Sequence, residues 1–219
     1  MYIFSNLATS IDGKIATASR AHFPLGTPAD REQMRRLRRR ADAVLMGASS
    51  LRSFRRPLLI RKNGKPGPRQ ILNVIISSGL EGISPSWPFF KEQRTTRLLF
   101  ITKPLPEARR NKFEKSSEIV LLKKGRPIAT QIVAELGRRG IRNLLVEGGG
   151  SVMWDFISQD LIEEINLTIT PRILGGSSAP TLVDGKGFSP GEVRNFKLSS
   201  FKKLGDELYL VYLASGKKA

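Results

Sequence analysis

The sequence predicts an α/β fold with a mostly parallel central sheet, an antiparallel C-terminal hairpin and helices on both faces of the sheet. Short apolar runs alternate with helical patterns up to about residue 160, as in sheets built from strand–helix–strand units. Beyond that point, 162–169 and the later runs alternate polar and apolar residues, so we expect antiparallel strands there. The last two runs, 196–203 and 208–213, flank the turn signal Gly205-Asp206. We expect a single domain over residues 1–219.

The first predicted elements are a strand at 2–8 and a helix that begins near Thr27. Thr27 is expected to cap this helix, and Pro28 and Asp30 suit its first turn. The helix should run to about Ala41, with an apolar side facing the core and arginines on the other side. Further elements follow from periodicity and composition: strands at 42–46, 71–76, 98–101 and 119–122, a helix at 128–137, and a long mobile loop, rich in Arg, Lys, Pro and Gly, at 52–70.

The stretch 144–157 carries the most informative pattern, because a buried strand leads into three glycines and then a helix. The strand ends on the carboxylate of Glu147, Gly148–Gly150 follow, and a short helix is expected at 151–158. Glycine permits positive φ and close ligand approach, and a helix N-terminus offers free N–H groups to a phosphate. The pattern therefore predicts a nucleotide-phosphate site beside an acid. The alternative is a purely structural connection, since neither G-x-G-x-x-G nor a P-loop is present.

The amino-acid composition excludes or disfavours several kinds of catalytic and metal-binding site. The chain has no Cys and one His, which excludes disulfides, thiolate ligands and Cys nucleophiles, and disfavours a His-based metal site or a Ser-His-Asp triad. We therefore expect no protein-bound metal. No apolar run approaches the roughly 18 residues that span a bilayer, and no signal peptide is expected. These features predict a cytoplasmic protein without a membrane partner.

The charge balance is strongly basic, with 37 Lys and Arg against 19 Asp and Glu, a net charge of +18. Such an excess attracts polyanions, including nucleic acid and phosphorylated small molecules. The basic residues are spread along the chain apart from one run at 35–40, and aromatic residues are not interleaved with them. This distribution disfavours a dedicated nucleic-acid-binding protein.

Four polar or glycine-containing turns are expected at one edge of the sheet. Each follows a predicted strand, and ligands of such sheets bind beyond the carboxyl ends of the strands. The sequence therefore predicts one site formed by Ala8–Asp12, Gly47–Ser50, Ser77-Ser78 and Glu147–Ser151.

Four motifs resemble one family in order and spacing: 10–17 (SIDGKIAT), 43–48 (AVLMGA), 145–150 (LVEGGG) and 169–176 (ITPRILGG). The family is the reductase domain of riboflavin biosynthesis, which forms the C-terminal half of the bifunctional deaminase/reductase and also occurs alone. The resemblance covers essentially the whole chain. It implies a dihydrofolate-reductase-like fold, usually homodimeric, that uses NADPH to reduce the ribosylamino group of a pyrimidine 5′-phosphate to ribitylamino. Hydride is accepted by C1′ of a ring-opened sugar imine, so no covalent nucleophile is required.

The resemblance also implies roles for individual residues. Glu147 corresponds to a substrate-contacting acid that orients the imine, and Asp12 either holds its turn or helps to hold the substrate. Arg38 and Arg61 correspond to substrate-contacting positions, where their paired donors suit a 5′-phosphate. Leu58 is a further substrate position, and Asn6 faces either an amino group or a carbonyl of the pyrimidine. The implied cofactor contacts are Ala8, Ser50, Ser78, Gly149, Gly150, Ser151 and Val152.

Two segments depart from the family pattern. Phe54 stands where family members have a cofactor-contacting Asp, and His22-Phe23-Pro24 replaces a segment that supplies a substrate-contacting hydroxyl and a cofactor-stacking indole. These departures favour a second hypothesis, a diverged NADPH-dependent reductase of the same fold that acts on another pterin-like heterocycle. A third hypothesis, from the charge alone, is a non-enzymatic basic binding protein.

Overall fold

The computed structural model describes residues 1–21, 23–62 and 65–215, and the departure at His22 lies outside them. Within these residues, nine strands form one sheet in the order β10-β11-β9-β1-β8-β2-β5-β6-β7, and two short strands, β3 and β4, form a separate hairpin. The strands are β1 Tyr2–Thr9, β2 Ala43–Gly47, β3 Arg61–Lys62, β4 Lys65–Pro66, β5 Leu72–Ser77, β6 Arg97–Ile101, β7 Glu118–Leu121, β8 Asn143–Val146, β9 Glu164–Ile169, β10 Phe196–Leu204 and β11 Glu207–Ala214.

Helices cover both faces of the sheet, and the sheet therefore separates two apolar layers of the core. One layer packs around Ile132, Leu136 and Phe156 of α5 and α6, and the other around Leu37, Leu51 and the phenylalanines of α3 and α4. Alternate residues of a strand face opposite layers; in β8, Leu144 belongs to the first and Leu145 to the second. The helices are α1 Pro28–Arg40, α2 Ala48–Phe54, α3 Pro88–Lys91, α4 Glu107–Glu114, α5 Ile128–Arg138 and α6 Gly150–Ile157, with a 3₁₀ turn at Pro190–Glu192.

The α/β class, the mostly parallel sheet and the antiparallel C-terminal hairpin predicted from the sequence are confirmed. Seven strands, from β7 to β9, run parallel, and β11 and β10 are antiparallel. The expectation of an antiparallel strand at 162–169 is confirmed for only one edge of β9, which pairs antiparallel with β11 but parallel with β1. The connection from β8 through α6 is a strand–helix crossover that skips past β1, and such a crossover returns the chain in the same direction.

Three local predictions also need correction. The segment 52–70 is not a continuous loop, since α2 extends to Phe54 and the β3–β4 hairpin follows. The helix α4 was missed because its arginines and lysine mask a short apolar side. Thr27 occupies the N-cap position of α1 but its hydroxyl does not cap the helix; it donates to Glu207 on β11 at 2.6 Å instead.

Across the described ranges, no helix is long and apolar enough to cross a membrane.

Asn73 fastens the segment that follows α2 to the sheet. Its buried side chain accepts a hydrogen bond from the backbone N–H of Leu58 at 2.8 Å, and donates to the carbonyls of Leu58 and Ile71, both at 3.1 Å. An amide can satisfy a donor and an acceptor at once, which an apolar side chain cannot do. The Leu58 backbone is therefore held by one side chain of β5.

We expect Asn73→Ala to lower the free energy of unfolding by about 3 kcal/mol, because it leaves the peptide groups of Leu58 buried without partners. Chemical denaturation measures this change. Gln131→Ala is the control: its side chain also bonds to backbone groups, but these are solvent-exposed, so water replaces it at a cost under about 1 kcal/mol. Equal losses in the two variants would contradict this assignment.

Candidate active site

The four turns predicted to form one site do follow parallel strands. They leave β1, β2, β5 and β8, whose carboxyl ends lie at the same edge of the sheet. Backbone hydrogen bonds join two of them directly: Glu147 donates to Leu45 at 2.9 Å, and Gly47 donates to Gly148 at 3.1 Å. The turns after β2 and β8 therefore form one continuous surface.

The glycine turn, Gly148–Gly150, has the strand–turn–helix geometry predicted from the sequence. Gly148 and Gly149 have φ of +75° and +47°, which disfavour other residues, and α6 begins at Gly150. A side chain at Gly150 would collide with the carboxylate of Asp184 and the carbonyl of Thr181. Packing therefore also requires glycine here, so the structural interpretation accounts for part of this motif. Binding of a phosphate to the turn stays a prediction.

Glu147 and Arg38 form an ion pair between β8 and α1. The guanidinium donates from Nε to Oε1 at 2.6 Å and from Nη2 to Oε2 at 2.7 Å. The two side chains are only 10% and 12% exposed. Such parallel, charge-assisted bonds are strong and fix the planes of both groups. The structure brings these two predicted substrate residues together, and each is the other's partner.

A row of side chains on β1 and β9 lies beneath α1. Asn6 is paired in register with Asn166, and Ala8 with Thr168, so each pair points to the same side of the sheet. Asn6 and Ala8 are half-buried, whereas Asn166 and Thr168 are buried. This row, together with the ion pair, forms the surface that we call the cleft floor. The predicted substrate contact Asn6 and the predicted cofactor contact Ala8 thus lie two residues apart on one strand.

The C-terminal turn of α1 is also held by a second buried acid, Glu164 on β9. Its carboxylate accepts hydrogen bonds from Arg40 at 2.9 Å, Tyr2 at 2.8 Å and Asn166 at 2.7 Å. Burial tends to raise the pKa of Glu164, but the hydrogen bonds from these three partners, Arg40 foremost, outweigh it and hold the pKa below the ordinary value. The residue therefore stays anionic and anchors the helix.

Asp12 binds backbone groups of a neighbouring loop. Its carboxylate accepts from the Ser10 hydroxyl at 2.6 Å and from the N–H groups of Leu174 and Gly175 at 3.1 and 2.7 Å. The hydrogen bond from Ser10, followed by that from Leu174, lowers the pKa of Asp12 to about 2. An acid that holds its proton so weakly is a poor proton donor near neutral pH. These contacts favour the structural alternative, and a catalytic role stays a prediction.

Other predicted contacts are more dispersed. Leu58 is buried in the core, Arg61 is exposed on the β3–β4 hairpin, and Ser50 is half-buried in α2. The Ser78 hydroxyl donates to Glu81 at 3.0 Å, and Val152 packs near Gly47 while Ser151 is exposed. Among the contacts described for residues 1–21, 23–62 and 65–215, no direct hydrogen bond joins any of these positions to the Arg38–Glu147 ion pair.

The two departures from the family pattern each include an aromatic ring within the described residues, Phe54 and Phe23. Phe54, the last residue of α2, is 43% exposed. The ring of Phe23 is covered by the guanidinium of Arg172 at 5.1 Å, and Arg172 donates to the carbonyl of Leu25 at 3.0 Å. Both rings are therefore partly exposed, although Arg172 covers one face of Phe23.

Sequence reasoning missed the partners that lie far away along the chain. Asp184, Glu164 and Glu207 were not singled out, although the alternating pattern of β9 signals a strand with one polar side. Asp30 was noted only as a helix-terminal acid. Within the described part of the chain, no group of three or more His, Asp or Glu is placed to hold a metal ion.

Comparison with known proteins gives a consistent result. The RibD C-terminal domain family matches residues 1–210. The 2,5-diamino-6-ribosylamino-4(3H)-pyrimidinone 5′-phosphate reductase of Archaeoglobus fulgidus is 28% identical, over 94% of both chains. The enzyme of the same name from Methanothermobacter thermautotrophicus is 27% identical, over 98% of this chain and 99% of its own. The crystal structure of a pyrimidine reductase-like protein from Corynebacterium diphtheriae superimposes with a TM-score of 0.83 at 19% identity, covering 99% and 92% of the two chains, which shows the shared fold.

A double-mutant cycle tests the ion pair. We expect Arg38→Ala and Glu147→Ala each to destabilise the protein by about 3 kcal/mol, because each leaves a buried charge unpaired, and the double variant to lose little more than either single one. Unfolding free energies from urea titration give the coupling energy. The exposed pair Arg110–Glu114 is the control, with an expected coupling of about 0.5 kcal/mol. Additive losses at Arg38 and Glu147 would show that they do not act as a pair.

Proposed function

Because this chain belongs to the RibD C-terminal domain family, we propose that it is an NADPH-dependent reductase of riboflavin biosynthesis. The proposed reaction converts the ribosylamino group of 5-amino-6-(5-phosphoribosylamino)uracil, or of its 2,5-diamino precursor, to ribitylamino. The observation that carries the proposal is the buried Arg38–Glu147 pair beside the glycine turn. It combines a fixed acid, a fixed guanidinium and a turn suited to phosphate at one edge of the sheet.

The glycine turn has features that suit a dinucleotide. Two residues with positive φ precede α6, whose first turn directs backbone N–H groups toward the sheet edge. Gly149, Gly150, Ser151 and Val152 would hold the pyrophosphate, and Ala8 would leave room for the nicotinamide. When bound, this cofactor supplies the hydride. The role of the protein is then to bind and orient the two reactants and to exclude water.

Glu147 is proposed to orient the substrate rather than to move its proton. Both carboxylate oxygens accept hydrogen bonds from Arg38, and their remaining lone pairs can accept from substrate hydroxyl or amine groups. The pair also fixes Arg38, so a side chain that would otherwise be mobile contributes a directed positive charge. Together the two residues are suited to position a polar, phosphorylated ligand.

Asn6 is the residue proposed to recognise the pyrimidine ring by hydrogen bonding. Its half-buried amide lies on the cleft floor and can donate to a carbonyl or accept from an amino group. The relatives from Archaeoglobus and Methanothermobacter are named for the diamino substrate. The amide is compatible with both the amino and the oxo form.

A diverged reductase of the same fold is the second candidate. It is supported by Phe54, an exposed ring at a position where a cofactor-contacting Asp is usual in the family. An aromatic ring would favour a flat heterocycle by stacking and would forgo a hydrogen bond. This candidate keeps NADPH and changes the substrate.

We further propose that the enzyme is a cytoplasmic homodimer. Phe201 on β10 is 69% exposed, and Leu198, Leu208 and Leu213 of the same hairpin are also exposed. Apolar residues concentrated on one hairpin are typical of surfaces that self-associate. Sedimentation velocity would test this, and a monomer at all concentrations would exclude it.

The direct test is NADPH oxidation with the ribosylaminopyrimidine 5′-phosphate in its amino and oxo forms. We expect turnover of at least one form, and the ratio of kcat/KM for the two forms to report what Asn6 recognises. Cofactor binding without turnover would favour the second candidate. Failure to bind NADPH, combined with salt-sensitive nucleic-acid binding, would favour a basic binding protein instead.

Arg61 provides a test of phosphate recognition. We expect Arg61→Ala to raise KM about tenfold or more for the phosphorylated substrate, the loss of one charge-assisted contact, and to leave KM for the dephosphorylated substrate unchanged. Steady-state kinetics with both substrates measures this difference. Lys65→Ala, an exposed cation on the other strand of the same hairpin, should leave both KM values unchanged. Equal effects of Arg61→Ala on both substrates would exclude a phosphate contact.

A further inference from the structure

Asp30, on the first turn of α1, has its carboxyl over the cleft floor rather than in solvent. It is half-buried, and its carboxylate lies so close to Gly26 that a side chain there would collide with it. The Thr168 side chain hydrogen-bonds to it. Thr168 is the register partner of Ala8, and paired residues of neighbouring strands are about 4.8 Å apart. Asp30 therefore lies next to the position proposed for the nicotinamide.

The titratable groups around Asp30 come from two elements besides its own. Glu207 and Tyr209 face it from β11, Glu147 from the end of β8, and Arg31 from α1 itself. Glu207 is committed elsewhere: it accepts from Thr27 N–H at 2.8 Å, from the Thr27 hydroxyl, and from the Tyr209 hydroxyl. Glu147 is committed to Arg38. In contrast to Glu147, neither Glu207 nor Asp30 has a described cation bonded to its oxygens, and Glu207 is already occupied by three neutral donors.

Its surroundings favour a carboxyl that keeps its proton. Burial raises the pKa of Asp30 above the ordinary value, and the negative charges of Glu207 and Glu147 raise it further. The hydrogen bond from Thr168 and the charge of Arg31 act in the opposite direction without cancelling the effect. Two acids of one cleft therefore differ: both oxygens of Glu147 accept hydrogen bonds from Arg38, whereas the surroundings of Asp30 make its carboxyl harder to ionise than an ordinary aspartate. Such a division marks acid and base roles in other active sites.

We propose that Asp30 supplies the proton of the reduction, to the nitrogen of the sugar imine. This inference rests on the proposed function. In the step, the π bond of C1′=N breaks, hydride from the reduced nicotinamide forms the C1′–H bond, and the proton of Asp30 forms the N–H bond. The imine is reduced to the amine, the nicotinamide is oxidised, and the Asp30 carboxylate regains a proton from water. Direct transfer and transfer through one water are both compatible with a half-buried carboxyl at the cleft.

The experiment compares wild-type protein with Asp30→Asn, which keeps the shape of the side chain but cannot act as an acid. We expect Asp30→Asn to lower kcat about 100-fold or more and to change KM and the Kd for NADPH less than threefold. In wild-type protein kcat should fall tenfold per pH unit once the pH exceeds the pKa of Asp30, because the protonated fraction falls; this limb should be missing in Asp30→Asn. Glu32→Gln, on the solvent side of the same helix where Glu32 pairs with Arg35, should match wild type in every respect.

A second measurement does not depend on turnover. The carboxyl carbon of Asp30, identified by its loss in Asp30→Asn, should titrate above 3.8 in the ¹³C NMR spectrum. Titration at or below that value would overturn the proposal, and so would a kcat of Asp30→Asn within threefold of wild type. An unchanged alkaline limb together with altered thermal stability would also overturn it, because that result is expected if Asp30 serves only to dock α1. Absence of turnover in both wild type and Glu32→Gln would instead overturn the proposed function, and the role of Asp30 with it.

Discussion

The packing of α1 on the sheet depends on satisfying buried polar groups rather than on an apolar stripe. Leu37 and Arg38 are its only buried residues among the described ones, and most of the helix is charged. It is held instead by Arg38 on Glu147 and Arg40 on Glu164. Removing either partner of the Arg38–Glu147 pair leaves a buried charge without solvent or counter-charge, which costs several kcal/mol. The helix can therefore occupy few other positions on the sheet.

This constraint also explains why the candidate site lies where it does. An apolar helix–sheet interface would leave no polar atoms facing a ligand, whereas this one lines the cleft with Asn6, Glu147 and Asp30. The same side chains that orient α1 are thus those that can contact a substrate. The residues proposed to bind substrate include the pair that orients α1, so KM and the free energy of unfolding must be measured together for any substitution there.

The sequence was sufficient for the elements whose signals are local. The glycine turn, the helix from Pro28 and the C-terminal hairpin were predicted because periodicity, glycines and turn residues lie within a few positions of each other. The parallel pairing of β9 with β1 was not predicted, since polar–apolar alternation is the same in parallel and antiparallel strands. The crossover past β1 determines the direction of β9. The pairing of Arg38 with Glu147, 109 residues apart, was also invisible, because each residue alone suits a solvated or a ligand-binding role equally well. The resemblance to a family identified Arg38 and Glu147 as candidate site residues, and the structure showed that they pair with each other.

The position of β1 has a consequence for how the protein assembles. This strand precedes every other strand of the sheet in the sequence, yet both of its neighbours, β8 and β9, lie after residue 142. During synthesis, β2, β5, β6 and β7 can pair with one another once residue 121 has emerged, while β1 has no neighbouring strand to bind until β8 is complete at Val146. Closing so long a loop is slow compared with forming local pairs. The cleft, whose floor is β1 and β9, therefore forms after the part of the sheet built from β2, β5, β6 and β7, so a stalled chain can have that part folded and still lack the site.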